Sequence, residues 1–222
     1  MGGVITALRF QKRSREWVNV HIDGRFAFAI PAAEAARLHK GQELTDEEIA
    51  RLKAIRLEQK AFERALHLLR YRPRSIAEVK DHLRSHRVDD AIIQRVIERL
   101  QRIGYLDDKA FARFWVENRQ QFNPRGLYAL RQELRSKGVP PEVIEETLAA
   151  MPVDEEAVAY ELISARRQRW DKLDRSTFWR KARGYLARRG FSYEAIDAAL
   201  QRLWAELEAD RESPDIDIEY ES

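Results

Sequence analysis

His82 and His86 stand four residues apart, which would put two imidazoles on one helix face, a spacing that can bind a metal ion. No third ligand is indicated nearby, so a solvated helix face is the simpler reading. Asp107-Asp108 could work as a carboxylate pair, but the helix that should start there makes capping the better role. No Gly-rich phosphate loop ending in Lys-Ser or Lys-Thr occurs, nor any nucleophile-elbow spelling. Cysteine is absent, which excludes disulfides and thiolate metal sites. The expectation is a protein that is not an enzyme, with no catalytic residues, no cofactor and no metal.

Charge is the remaining chemistry. The net charge of the 222 residues is only +3, but it is unevenly spread. From Ala205 to Ser222 there are eight acidic residues and one Arg, so the rest of the chain carries +10. Arg166 to Arg189 holds ten Lys or Arg against Asp171 and Asp174. Arg70 to Arg87 and Arg113 to Lys137 are also basic. Such stretches suit an anionic polymer, or a partner built on one. The candidate surface is Arg70, Arg72, Arg74, Arg119, Arg125, Arg131, Arg169, Lys172, Arg180 and Lys181. Trp115, Trp179 and Trp204 fall at helical spacing and read as core. Trp170 is the exception, set in a basic loop between Arg169 and Lys172.

The elements that carry these charges repeat. Leu83-Arg-Ser-His-Arg87, Leu134-Arg-Ser-Lys-Gly138 and Leu186-Ala-Arg-Arg-Gly190 are each followed by a turn and an apolar stripe. The stripes are Ile93, Ile97, Leu100; Ile144, Leu148, Met151; and Ile196, Leu200, Leu203. Val79, Leu130 and Ala182 precede the anchor leucines by four residues, and Ile76, Leu127 and Trp179 by seven. Each unit therefore reads as helix, tight turn, helix, with a further helix in front. Gly138 and Gly190 suit the left-handed end of the middle helix. Arg87 in that place predicts a looser or differently shaped turn. The last helix of the second unit carries Glu142, Glu145 and Glu146 and no basic residue, and Ser192 to Leu200 also lacks one. These are poor elements for reading bases in a major groove.

Before the repeats, Val4 to Phe10, Trp17 to Ile22 and Arg25 to Ile30 read as strands, with Asp23-Gly24 as a hairpin turn. A three-residue loop, Ile22-Asp23-Gly24, would pair Val20 with Phe26 and Val18 with Phe28, gathering the apolar groups on one face. A short helix over Pro31 to His39 and a long one from Thr45 toward Tyr71 should follow.

Within Ala61 to Leu203, the chain resembles the RecX family, regulators of the RecA recombinase. The resemblance rests on Arg70-Tyr-Arg-Pro-Arg-Ser75, Gly104-Tyr-Leu-Asp-Asp108, Phe111-Ala112, Arg119, Gly126 and Glu133-Leu-Arg-Ser-Lys-Gly138. It implies three tandem three-helix repeats. It also implies a non-enzymatic partner of the RecA nucleoprotein filament that inhibits RecA's ATPase, strand exchange and coprotease activities. Single- or double-stranded DNA is a further partner to expect. The residues by themselves leave open a nonspecific DNA-binding protein or a helical protein–protein adaptor.

The expected architecture is mainly α. Three tandem three-helix repeats in an elongated arrangement follow a small N-terminal β-hairpin or three-strand segment with short helices. The expected divisions are 1–57 for the N-terminal segment, 58–106, 107–152 and 153–204 for the repeats, and 205–222 for an acidic disordered tail. No stretch of about 18 apolar residues occurs and no signal-like segment opens the chain. A soluble, cytoplasmic monomer with no membrane partner is expected.

Overall fold

The computed structural model describes residues 2–12 and 14–212. They form two compact units, one up to Asp107 and one from Asp108. In the first unit, β1 (Gly3–Gln11), β2 (Ser14–Ile22), β3 (Arg25–Pro31) and β4 (Glu43–Leu44) form an antiparallel sheet, in the order β3-β2-β1-β4. The expected three strands become four. Two residues are too short to show a period-2 pattern, yet Glu43 and Leu44 pair with Val4 and Gly3. The helix expected over Pro31 to His39 shrinks to α1 (Ala32–Ala35), and Gly41 (φ 90°) turns the chain into β4.

The hairpin register also differs from the expectation. Asp23 and Gly24 both take positive φ, 48° and 78°, and Ile22 faces Arg25 across a two-residue turn. Two positive φ values match the twist of the strands. The faces are reconciled farther along. A register shift between Val20 and His21 puts Val20 opposite Phe28 and Val18 opposite Ile30. All four are buried, whereas Phe26, before the shift, is exposed. A bulge, not a longer loop, gathers the apolar face.

α2 (Asp46–Leu69) starts at a capping box of Thr45 and Glu48. Ile49 and Leu52 near its start pack against the sheet core, while Ala61, Phe62 and Ala65 belong to the first repeat. α3 (Ile76–Ser85), opened by the Ser75–Glu78 capping box, and α4 (Asp90–Arg102) complete that repeat. The second unit holds α5 (Asp108–Phe122), α6 (Leu127–Ser136) and α7 (Pro141–Ala150), then α8 (Glu155–Ser164), a 3-10 turn (Arg167–Arg169), α9 (Arg175–Ala187) and α10 (Tyr193–Glu212). Among the described residues, nine helices therefore form three three-helix repeats. Each repeat has its own core, and Leu83, Leu134 and Leu186 are fully buried in theirs. So are Val79, Leu130 and Ala182, one turn earlier on the same stripe.

All three middle helices end in the same way. The carbonyls of Leu83, Leu134 and Leu186 accept from Val88, Val139 and Phe191 at 3.2, 3.2 and 3.4 Å. Arg87 takes φ 58°, beside 71° for Gly138 and 80° for Gly190. The looser turn expected at Arg87 is not formed. The hydrogen bonds that close the helix hold Arg87 in the left-handed region, at a cost of about 1–2 kcal/mol. Arg87→Gly is accordingly expected to stabilise the chain by roughly 1 kcal/mol in urea unfolding. An unchanged or lowered midpoint would show that the arginine side chain offsets the strain.

The second and third repeats are joined by backbone. Gly126 donates to the Arg189 carbonyl at 3.0 Å, and a Cβ there would collide with the Gly190 carbonyl. Glu155, in the first turn of α8, accepts from Leu127 N at 2.6 Å and from Ser192 N at 3.4 Å. One carboxylate thus serves the starts of both α6 and α10.

The acidic tail expected to be disordered is helical in its first part. Residues 205–212 continue α10, because Leu207 extends the buried stripe of Ala199, Leu200, Leu203 and Trp204. Arg167 holds Glu206 and Asp210, and Arg211 reaches the carbonyls of Asp171 and Leu173. The density of acidic residues masks this apolar spacing in the sequence. Residues 213–222 lie outside the described residues. Trp170 is likewise not a free loop residue. It is buried beside Phe178, with its indole N–H donating to the Ile163 carbonyl at 3.0 Å.

Candidate functional site

The ten arginines and lysines singled out by charge divide into two groups. Five are engaged with carboxylates. Arg72 grips Glu78 with both terminal nitrogens, at 2.7 and 3.1 Å, and Arg74 approaches the same carboxylate at 3.7 Å. Arg119 donates to Glu133 at 2.6 Å, Arg125 lies 3.6 Å from it, and the Trp115 indole donates to it at 2.8 Å. Arg131 reaches Glu145 at 2.9 Å across α6 and α7. That hydrogen bond raises the Arg131 pKa and lowers the Glu145 pKa. The same pair recurs 52 residues on as Arg183 and Asp197, at 3.3 Å. Arg119 and Arg131 thereby link neighbouring helices, Arg72, Arg74 and Arg125 fasten the turns before α3 and α6 to those helices, and all five are neutralised locally.

The other five, Arg70, Arg169, Lys172, Arg180 and Lys181, are exposed and have no carboxylate partner among the described residues. Arg70 caps α2 at the turn to α3, beside exposed Tyr71 and Tyr105. The remaining four lie in the third repeat, on the loop after α8 and along α9.

Two further arginines, Arg166 and Arg189, bound the basic segment of the third repeat but are not among the ten residues expected on the surface. Their guanidinium carbons stand 4.4 and 4.7 Å from the Tyr185 ring centroid. Arg166 also bonds the Tyr185 hydroxyl, and Arg189 donates to Asn123 Oδ1 at 2.8 Å. Neither meets a carboxylate among the described residues. An available signal was spacing. Arg72, Arg119 and Arg166 recur every 47 residues, each seven after a fully buried alanine, Ala65, Ala112 or Ala159.

The His82 and His86 rings lie 4.5 Å apart, tilted by 57°, and the His86 ring bonds the His82 carbonyl. Burial, with His86 next in effect, lowers the His82 pKa. Among the described residues no group of three or more His, Cys, Asp or Glu could hold a metal ion. No helix among them is long and apolar enough to cross a membrane.

Four family profiles match the chain in order: the regulatory protein RecX N-terminal domain over residues 3–45, and the first, second and third three-helix domains of RecX over 61–100, 107–148 and 154–200. Regulatory protein RecX of Bacillus velezensis is 35% identical over 212 residues, which cover 94% of this chain and 80% of that protein. The chain belongs to the RecX family. Regulatory protein RecX of Bacillus subtilis is 33% identical over 211 residues, again covering 94% of this chain and 80% of that protein. Among solved structures, the crystal structure of RecX from Lactobacillus salivarius matches with a TM-score of 0.61 at 25% identity, covering 67% of this chain and 97% of that one. A crystal structure of regulatory protein RecX matches the fold with a TM-score of 0.75, over 90% of this chain and all of the other, at 24% identity. The RecX fold thus extends to the N-terminal sheet, which lies outside the stretch that carries the sequence resemblance.

Proposed function

We propose that this RecX-family chain binds the RecA–DNA filament and restrains RecA's ATPase, strand exchange and coprotease activities, with no chemistry of its own. RecX membership supports RecA as the partner. The observation that carries the filament reading is the set of exposed cations without internal counter-charge, four of them in one repeat. A polyanion with a regular charge array complements such a surface, and releases counterions when bound. The five paired arginines act structurally, positioning the helices that present the rest.

The test is RecA ATPase on single-stranded DNA with and without the protein. A falling rate is expected, with inhibition weakening as salt rises. An unaffected rate alongside tight binding to bare DNA would replace this reading by that of a DNA-binding protein acting without RecA.

A further inference from the structure

The three repeats solve one electrostatic problem in two ways. Arg72, Arg119 and Arg166 occupy equivalent positions, in the last turn of each repeat's leading helix or just beyond it. The first two are neutralised inside their own repeats by Glu78 and Glu133. Glu133 immediately precedes the anchor Leu134. In the third repeat the residue before the anchor Leu186 is Tyr185. Arg166 makes the corresponding reach and finds a hydroxyl in place of a carboxylate. Arg189 then comes to the same ring.

The result is two guanidiniums gathered on one tyrosine with no anion supplied by the protein's described residues. Like charges brought together without a counter-charge repel, and a tyrosine quadrupole offsets only part of that. Arg166 also lines an open groove of about 950 Å³, together with Pro124, Ser164, Gln168 and Arg169. Leu162, another lining residue, stands where the second repeat has Trp115, whose indole there donates to Glu133.

We infer that the Arg166–Tyr185–Arg189 cluster is an oxyanion site of the third repeat that takes a phosphodiester of a nucleic-acid strand. Guanidinium, hydroxyl and amide groups along the groove all offer donors to phosphate oxygens. Glu161 is the one carboxylate on its wall. Beyond the groove, Lys172, Arg180 and Lys181 extend the unpaired charge along the same repeat. An acidic protein surface is the competing ligand, and the structure contains a sample of one. The acidic end of α10 engages Arg167 through Glu206 and Asp210 and leaves Arg166 without an ion pair.

The site deepens the filament reading and rests on it, but its test uses DNA without RecA, so the two can fail separately. The informative variant is Tyr185→Glu, which installs the counter-charge that the second repeat already has. Binding of fluorescent oligothymidylate of about 20 nucleotides is measured at low salt by anisotropy. The expected result is a loss of about tenfold in affinity. The salt slope should fall by about 0.7 for each phosphate that is no longer neutralised. Arg166→Gln, which keeps the tyrosine packing, should give the same direction of change. Tyr128→Glu carries the same added charge at an exposed position of α6 and should leave affinity within about threefold. Unaltered affinity and salt slope in both Tyr185→Glu and Arg166→Gln would overturn the assignment. So would displacement of the oligonucleotide by poly-glutamate as effectively as by unlabelled oligothymidylate, which would make this a site for an acidic protein.

Discussion

Gly190→Ala is expected to destabilise the second unit by about 3 kcal/mol, the sum of left-handed strain and forced repacking. Gly190 sits at φ 80°, where a side chain is strained whatever the space around it. The space is also missing, since an added Cβ would stand 2.5 Å from both the Cβ and the backbone nitrogen of Ala129. Ala129 lies on α6 of the second repeat, and Gly126 at its start bonds the neighbouring Arg189 carbonyl. The damage therefore falls on the junction between repeats. Thermal unfolding should show a drop of roughly 10 °C. Gly104→Ala, at φ 74° with open space around the added methyl, shares the left-handed strain without the collision and should cost less. Equal costs in the two variants would show that the close packing between repeats contributes nothing.

The second large effect is on binding. Neutralising Arg169, Lys172, Arg180 and Lys181 together to glutamine removes four exposed, unpaired charges from the third repeat. Filament affinity at low salt should fall by about 100-fold or more if these residues neutralise phosphates, and the salt slope should flatten. The matching change of Arg72, Arg119, Arg125 and Arg131 should chiefly lower thermal stability, because each gives up a carboxylate partner. Loss of filament binding without loss of stability in that second variant would reverse the division between structural and binding arginines.

The repeats were legible because burial imposes a period. Leu83, Leu134 and Leu186 needed only their spacing and flanking stripes to be placed in three cores. The hairpin was half legible. Asp23-Gly24 marked the turn, but the bulge that aligns Val20 with Phe28 carries no composition of its own. The helical 205–212 was hidden because acidic composition argued against order, while Leu207 is one residue on a stripe begun far upstream. The candidate surface was the least legible part. Counting charge cannot separate Arg119, locked to Glu133, from Arg169, open to solvent, since pairing depends on which helices face each other. Arg166 lies inside a basic segment but not among the ten residues expected on the surface, because its meaning comes only from comparison with Arg72 and Arg119.

The single helix shared by the sheet and the first repeat has a mechanical consequence. α2 runs unbroken from Asp46 to Leu69, about 36 Å at the usual rise. Its front turns are clamped to the sheet by Ile49 and Leu52, and Arg70 stands at its far end. A helix without a break at its middle transmits rotation as a rod does. Any body that grips the sheet and turns it must swing Arg70 and Tyr71 through an arc at the other end. The placement of the N-terminal sheet and that of the Arg70 cation are thereby linked through one continuous helix.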